Sequence, residues 1–250
     1  MLFFLILGLQ SNSFAWGPIG HYVIGKIAEW QMKPKTVKKV EAILQQESIS
    51  GVGVWMDNIR SDKRYEYTYT WHWVTTADGS YDTALQEPTG DAYEAFFKLK
   101  ESLKKGGLSP GEERDQLRML IHIVGDLHQP FHVGKPGDRG GNDVKVSFFN
   151  KETNIHAVWD SDLIEGKKMS YTEIATELQK RVTPAKVSQY QSAGPPEWLK
   201  EAVAMRPDMY DFPENGRVGY EYIYKHYHHV EERLTAAGIR LAQVLEEIYG

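Results

Sequence analysis

The chain has 250 residues, no cysteine and a formal net charge of −5. The missing cysteines exclude a disulfide framework, and the acidic balance excludes a surface that holds polyanions through lysine and arginine alone. Beyond the first residues no apolar run approaches the ~20 positions that a membrane-crossing helix needs.

In chain order, Leu2 to Leu9 is apolar but too short to span a bilayer, and Ser13-Phe14-Ala15 follows as a small-x-small cleavage signature. Residues 1–15 are therefore expected to be a secretory signal peptide, although its start lacks lysine and arginine. Cleavage would leave 16–250 as one domain that begins at Trp16, long enough for a substantial core. Apolar periodicity predicts helices over Gly20 to Gln31, Thr36 to Gln46, Asp91 to Lys104 and Glu112 to Leu127. Ser109-Pro110 reads as the start of the last of these. Trp71 to Val74 alternates like a short strand. Residues 136–141, Pro-Gly-Asp-Arg-Gly-Gly, form a turn-rich loop, Val144 to Phe149 reads as a strand, and Thr153-Asn154 can cap a helix over Ile155 to Ile164. A stripe from Tyr220 through Ile223, Tyr227, Leu234, Leu241, Leu245 and Ile248 marks a long C-terminal helix. Its His226, His228 and His229 point in different directions and read as surface or supporting groups. The fold class expected is mainly α with a small β-hairpin.

Residues four apart on a helix share a face, so His122 and Asp126 can reach one point, as can His156 and Asp160. A lone His-x-x-x-Asp is common on solvated helix faces. Two copies in one stretch, with His132 just past the helix-stopping Pro130, exceed one tetrahedral shell and read as a polynuclear zinc site. Trp16-Gly17-Pro18-Ile19-Gly20-His21 gains meaning only if cleavage frees the amine of Trp16, which could then chelate a metal with a carbonyl oxygen and His21. Taken alone, Trp16 would be a core aromatic and His21 a helix-start histidine. Because such ligands are scattered along the chain, metal removal is expected to cost much thermal stability.

These segments, together with Trp55-Met56-Asp57-Asn58-Ile59-Arg60, Trp71-His72-Trp73, Gly125, Gln129-Pro130 and Gly140-Gly141-Asn142, resemble the S1/P1 nuclease family across the whole mature chain. The resemblance implies a single-domain, multi-helix phospholipase C/P1 nuclease fold and three Zn2+ held by nine residues. Asp57, His72, His122 and Asp126 would hold one ion; Trp16 and His21, with Asp126 bridging, its close neighbour; and His132, His156 and Asp160 the third. It further implies that Asp57 orients the attacking water and that Arg60 contacts phosphate. Trp73 would stack on a base and Asn142 would contact substrate, though Trp73 is equally readable as a core aromatic. Three Zn2+ would carry the formal charge from −5 to +1, placing attraction where a phosphate goes.

The activity implied is a secreted or periplasmic endonuclease that cuts single-stranded DNA and RNA to 5′-phosphate products and acts on 3′-nucleotides. It would have no membrane anchor after signal cleavage and no obligate protein partner. The absence of cysteine and of Asn-x-Ser/Thr acceptors fits a bacterial-type member, and Thr75 and Thr76 stand where relatives often carry Asp or Asn near the base site. Two alternatives remain. A zinc-dependent phospholipase C would be expected to carry Glu in place of Asp160 and a wider gap between Trp16 and His21. A noncatalytic zinc-stabilised exported protein would have no need of Arg60 beside Asp57.

Overall fold

The computed structural model describes residues 16–250, so the expected signal segment lies outside the described residues. Helices α1 (Pro18–Gln31) and α2 (Pro34–Ile43) each open on a proline, whose fixed φ suits a first helical turn and whose missing N–H costs nothing there. Two single-turn helices follow, α3 (Ile49–Val52) and α4 (Trp55–Asn58), then a 3-10 helix over Lys63–Thr68. The segment from Trp71 to Val74 is not the strand its alternation predicts. Trp71 and His72 lie in a turn, and only β1 (Val74–Thr75) is paired.

Helix α5 (Ala92–Lys105) starts where the Asp91 carboxylate accepts the Glu94 N–H. In α6 (Pro110–Asp126) Ser109 and Glu112 form a reciprocal capping box, which satisfies two otherwise orphaned N–H groups at the helix start. β2 (Val133–Gly134) pairs in parallel with β1. The predicted hairpin is present as β3 (Lys145–Phe148) and β4 (Lys151–Asn154). Its two-residue turn, Phe149 and Asn150, has φ of 48° and 67°, as a type I′ turn requires.

Asn154 then caps α7 (Ile155–Ala157) by accepting the Ala157 N–H. The helix expected over Ile155 to Ile164 is present but not uniform: α7 passes through a π-helical turn, Val158–Asp162, into α8 (Leu163–Glu165). Within the widened turn the Asp160 carbonyl accepts the Gly17 N–H at 2.7 Å, so the start of the described chain is fastened at the irregularity.

Besides the single-turn α3 and α4, four helices escaped the sequence reading: α9 (Tyr171–Gln179), α10 (Pro184–Gln191), α11 (Pro195–Ala204) and α12 (Arg206–Met209). All are short, and the last three open on or just before prolines that read as loop signals. β5 (Arg217–Val218) joins the hairpin in the order β4-β3-β5. The expected C-terminal helix, α13 (Tyr220–Tyr249), runs through the centre of the core. Its Leu234, Ala237, Leu241 and Leu245 are fully buried, as are Val23, Ile27 and Ala28 on α1. Each such leucine or isoleucine stabilises by ~1.5–3 kcal/mol.

Two arginines of α13 are buried as well, and both are paired. Arg233 and Arg240 bond the Glu201 carboxylate, and Arg233 Nε also donates to the His128 carbonyl at 3.0 Å. That last bond ties the central helix to the turn leaving α6. No helix among the described residues is long and apolar enough to cross a membrane.

Candidate metal centre

The donors reach the centre from several elements. His122 and Asp126 project from one face of α6, with Nε2 and Oδ2 3.0 Å apart. The turn after α6 passes Pro130 and delivers His132 to the edge of β2. There the Val74 N–H donates to the His132 carbonyl at 2.8 Å, so the two-residue parallel pairing sets His72 beside His132. His21 comes from the first turns of α1 and Asp57 from α4. His156 and Asp160 close the site from α7 and the π turn, with Nε2 and Oδ2 2.9 Å apart.

The donor atoms fall into three groups: His21, His122 and Asp126; Asp57, His72 and His122; and His132, His156 and Asp160. Within each group they lie within 4.8 Å of one another. His72 presents Nδ1, which is 2.9 Å from His122 Nε2, 3.2 Å from Asp126 Oδ2 and 3.8 Å from Asp57 Oδ1. His21 Nε2 is 3.4 Å from Asp126 Oδ1, and its ring stacks on that of His122 with centroids 4.2 Å apart. His132 Nε2 is 3.7 Å from Asp160 Oδ1.

Backbone carbonyls aim the imidazoles. Nδ1–H of His122 donates to Gly53 O, that of His132 to His72 O and that of His156 to Gly140 O, at 2.6, 2.5 and 2.6 Å. These tautomers are assigned from the bonding pattern, and they turn the Nε2 lone pair of each ring into the centre, the usual way a metal-binding histidine is oriented. Gln129 completes the frame, donating its amide to Asp160 and accepting the Phe131 N–H. Two glycines make the approach possible. A Cβ on Gly125 would stand 2.8 Å from His21 Nδ1, and one on Gly17 would stand 2.9 Å from the Asp160 carbonyl oxygen.

The chemistry of the pocket calls for a cation. His21 Nε2, Asp57 Oδ1, Asp126 Oδ1, His132 Nε2, His156 Nε2 and Asp160 Oδ2 are all buried without a hydrogen-bond partner, an arrangement costly for polar atoms unless a ligand satisfies them. Burial lowers His72 and His132 to about 4. Burial also raises Asp160 to about 6. Burial opposes charging His122 too, but the Asp126 and Asp57 carboxylates hold it up at about 9. Carboxylates this deep need positive charge beside them, and a metal supplies it in place of protons. Imidazole and carboxylate donors together fit zinc.

Trp16 is fully buried, with its neighbour Gly17 bonded to Asp160. Arg60 is partly exposed at the mouth, its Nε 4.0 Å from Asp57 Oδ1. Trp73 is half-buried and donates its indole N–H to Glu87 at 3.2 Å. Tyr69, which the sequence reading missed, stands edge-on to Trp73 with centroids 5.8 Å apart and lies under the Arg60 guanidinium. Its position beside Tyr67 in an aromatic-rich run was the available signal. Asn142 donates its amide to Arg139 O, bracing the loop whose Gly140 carbonyl receives His156. His128 has both ring nitrogens engaged outside the centre, by Val124 O and Arg240.

The chain is 27% identical to Endonuclease 4 of Arabidopsis thaliana, over 96% of this chain and 91% of that protein. It is 25% identical to Nuclease S1 of Aspergillus oryzae over 66% of this chain and 60% of that protein. Nuclease P1 of Penicillium citrinum is 24% identical over 63% of each. The family model described as S1/P1 Nuclease matches residues 16–250, and its relatives support hydrolysis of phosphodiester bonds by a nuclease. The chain belongs to the S1/P1 nuclease family.

Proposed function

We propose that this protein is a trinuclear-zinc endonuclease, exported by cleavage before Trp16 to the periplasm or medium, that cuts single-stranded DNA and RNA and leaves 5′-phosphates. It also removes phosphate from 3′-nucleotides. The observation that carries this reading is the set of buried imidazole and carboxylate atoms without partners, converging beside a partly exposed arginine. Asp57, His72, His122 and Asp126 would hold one ion, the Trp16 amine and carbonyl with His21 and Asp126 the second, and His132, His156 and Asp160 the third. Zinc, when bound, lowers the pKa of water and draws charge from a phosphodiester.

The chain's own residues then have separate tasks. Besides holding its ion, the Asp57 carboxylate accepts a hydrogen bond from the attacking water and fixes its line of approach to phosphorus, opposite the departing 3′ oxygen. Arg60, held next to Asp57, donates to the nonbridging oxygens as charge accumulates there. The exposed edge of Trp73, continued by Tyr69, offers apolar faces to a base. Stacking of this kind tolerates any base and favours strands whose bases are already unpaired. Asn142 contributes by holding the 138–143 loop at the rim.

Purified protein that begins at Trp16 should cleave single-stranded DNA, RNA and 3′-mononucleotides, lose activity on chelation and regain it with Zn2+. Phosphatidylcholine should remain intact under the same conditions. Cleavage of the lipid without cleavage of polynucleotide would overturn the assignment in favour of a phospholipase C. Inertness toward every substrate with zinc bound would leave the cluster a stabilising one.

A further inference from the structure

Away from the centre just described, α13 and the chain around α12 bring two histidines and two aspartates together. His226 and His229 are three apart on α13 and so share a face; of the three histidines in this run His226 is buried, His229 partly buried and His228 exposed. Donor atoms of Asp208, His226 and His229 lie within 4.8 Å of one another. His229 Nε2 is hydrogen-bonded to Asp208 Oδ2 at 2.8 Å, and His226 Nε2 is 3.8 Å from Asp211 Oδ2. In tetrahedral zinc, ligands at about 2.0–2.1 Å from the ion stand about 3.4 Å from each other, so the three donors, within 4.8 Å of one another, would draw together around an ion.

A second, independent observation points to a ligand. The His226 side chain is only 4% exposed, yet its Nε2 has no hydrogen-bond partner and faces the carboxylates. A buried imidazole nitrogen aimed at acids across a gap too long for a hydrogen bond is a donor awaiting an acceptor of its lone pair. Lys225, 4.0 Å from Asp211, is engaged more closely by Glu221 at 2.9 Å and leaves Asp208 to the histidines.

We propose that Asp208, His226 and His229 form an additional binding site for a divalent transition cation of the zinc type, with Asp211 at its edge and water completing the shell. Two imidazoles select against Ca2+ and Mg2+, which prefer oxygen donors. The site would be structural, because of what it fastens. The segment 206–210 braces the strands beside the main centre: Arg206 donates to the carbonyls of Thr76, Ala77 and Val133, and the Tyr210 hydroxyl donates to Asp138. On the α13 side, the Tyr222 hydroxyl donates to Met209 O and accepts the Trp159 N–H, one residue from Asp160. A cation across Asp208, His226 and His229 would lock this strap to the central helix.

The test compares the intact protein with Asp208→Asn and His229→Gln after dialysis against micromolar free Zn2+, counting zinc by elemental analysis. Asp208 has a 54% exposed side chain, so its isosteric replacement spares the core. Each variant is expected to hold about one zinc fewer per molecule than the unaltered protein, with cleavage of single-stranded DNA retained. Crystals of the unaltered protein soaked in Zn2+ should show an anomalous peak between Asp208 and His229, a result that depends on no variant folding. Equal zinc counts in all three proteins, or no anomalous peak there at saturating zinc, would overturn the proposal.

Discussion

Replacing Gly125 with alanine should damage the metal centre without touching a ligand. The added Cβ would stand 2.8 Å from His21 Nδ1 and 2.9 Å from its Cε1, and the shorter contact falls 0.6 Å inside the 3.4 Å at which ordinary packing begins. The His21 ring has little freedom to retreat. It stacks on His122 at 4.2 Å, and its Cβ and carbonyl oxygen both lie 3.2 Å from where a Cβ on Gly53 would stand. Since metal ligands must hold their places to within about 0.2 Å, a shift of this size would take His21 away from the ion proposed there. Loss of one correctly aimed histidine is expected to lower affinity at that position, and turnover with it, by about 10–100-fold. The helix itself should not suffer, because alanine is the better helix former by ~1 kcal/mol. Gly111→Ala on the same helix is the control, as its Cβ would meet nothing within 4 Å. Zinc content and single-strand cleavage measured on both variants decide the matter. A Gly125→Ala protein with full zinc and unaltered turnover would refute the steric argument.

Arg60→Ala should reduce turnover about 10²–10³-fold, as loss of a donor to developing charge does elsewhere, with zinc content unchanged; a normal rate would remove Arg60 from the chemistry. Chelation should lower the melting temperature. An ion present at a thousand times its Kd stabilises by ~4 kcal/mol, and at this chain length that corresponds to a fall of ~10 °C for each ion lost, so a melt unmoved by verified metal removal contradicts the reading. A protein with residues left in front of Trp16 should bind one zinc fewer than the trimmed form, and equal loading would show that the terminal amine is not a ligand. For pH, burial and then the Arg233 and Arg240 charges hold His128 well below the usual histidine range. Its unfolded form takes up a proton near pH 6.5 while its folded form does not, so its contribution to stability is complete above that pH and is lost as pH falls below it. Denaturant melts of unaltered protein and His128→Gln between pH 7.5 and 5.5 should show the smaller decline in the variant, by at most ~1.4 kcal/mol per pH unit.

How much of this was legible in the sequence follows from the range over which each interaction acts. The pairs His122–Asp126 and His156–Asp160 could be read directly, since four-residue spacing on a helix is geometry that needs no tertiary partner, and the same holds for the helix start at Ser109-Pro110 and the apolar stripe of α13. The two histidines His226 and His229 carried the same kind of signal at three-residue spacing, but their acids come from α12 and the turn after it, outside any predicted element. The groups that aim the ligands were not legible in any form. Gly53 O, His72 O and Gly140 O are main-chain carbonyls, which every residue possesses, and only the folded path decides which three face an imidazole. The π turn was invisible for a related reason. Val158–Asp162 has an ordinary helical composition, and the extra width arises where the Asp160 carbonyl is claimed by Gly17, more than 140 positions earlier in the chain. Glycine is the one residue type whose sequence identity registers such distant constraints, because the missing side chain marks where another segment must pass. Gly125 and Gly17 therefore tell, from opposite ends of the signature, that His21 and the start of the described chain are pressed onto the helices bearing the other donors.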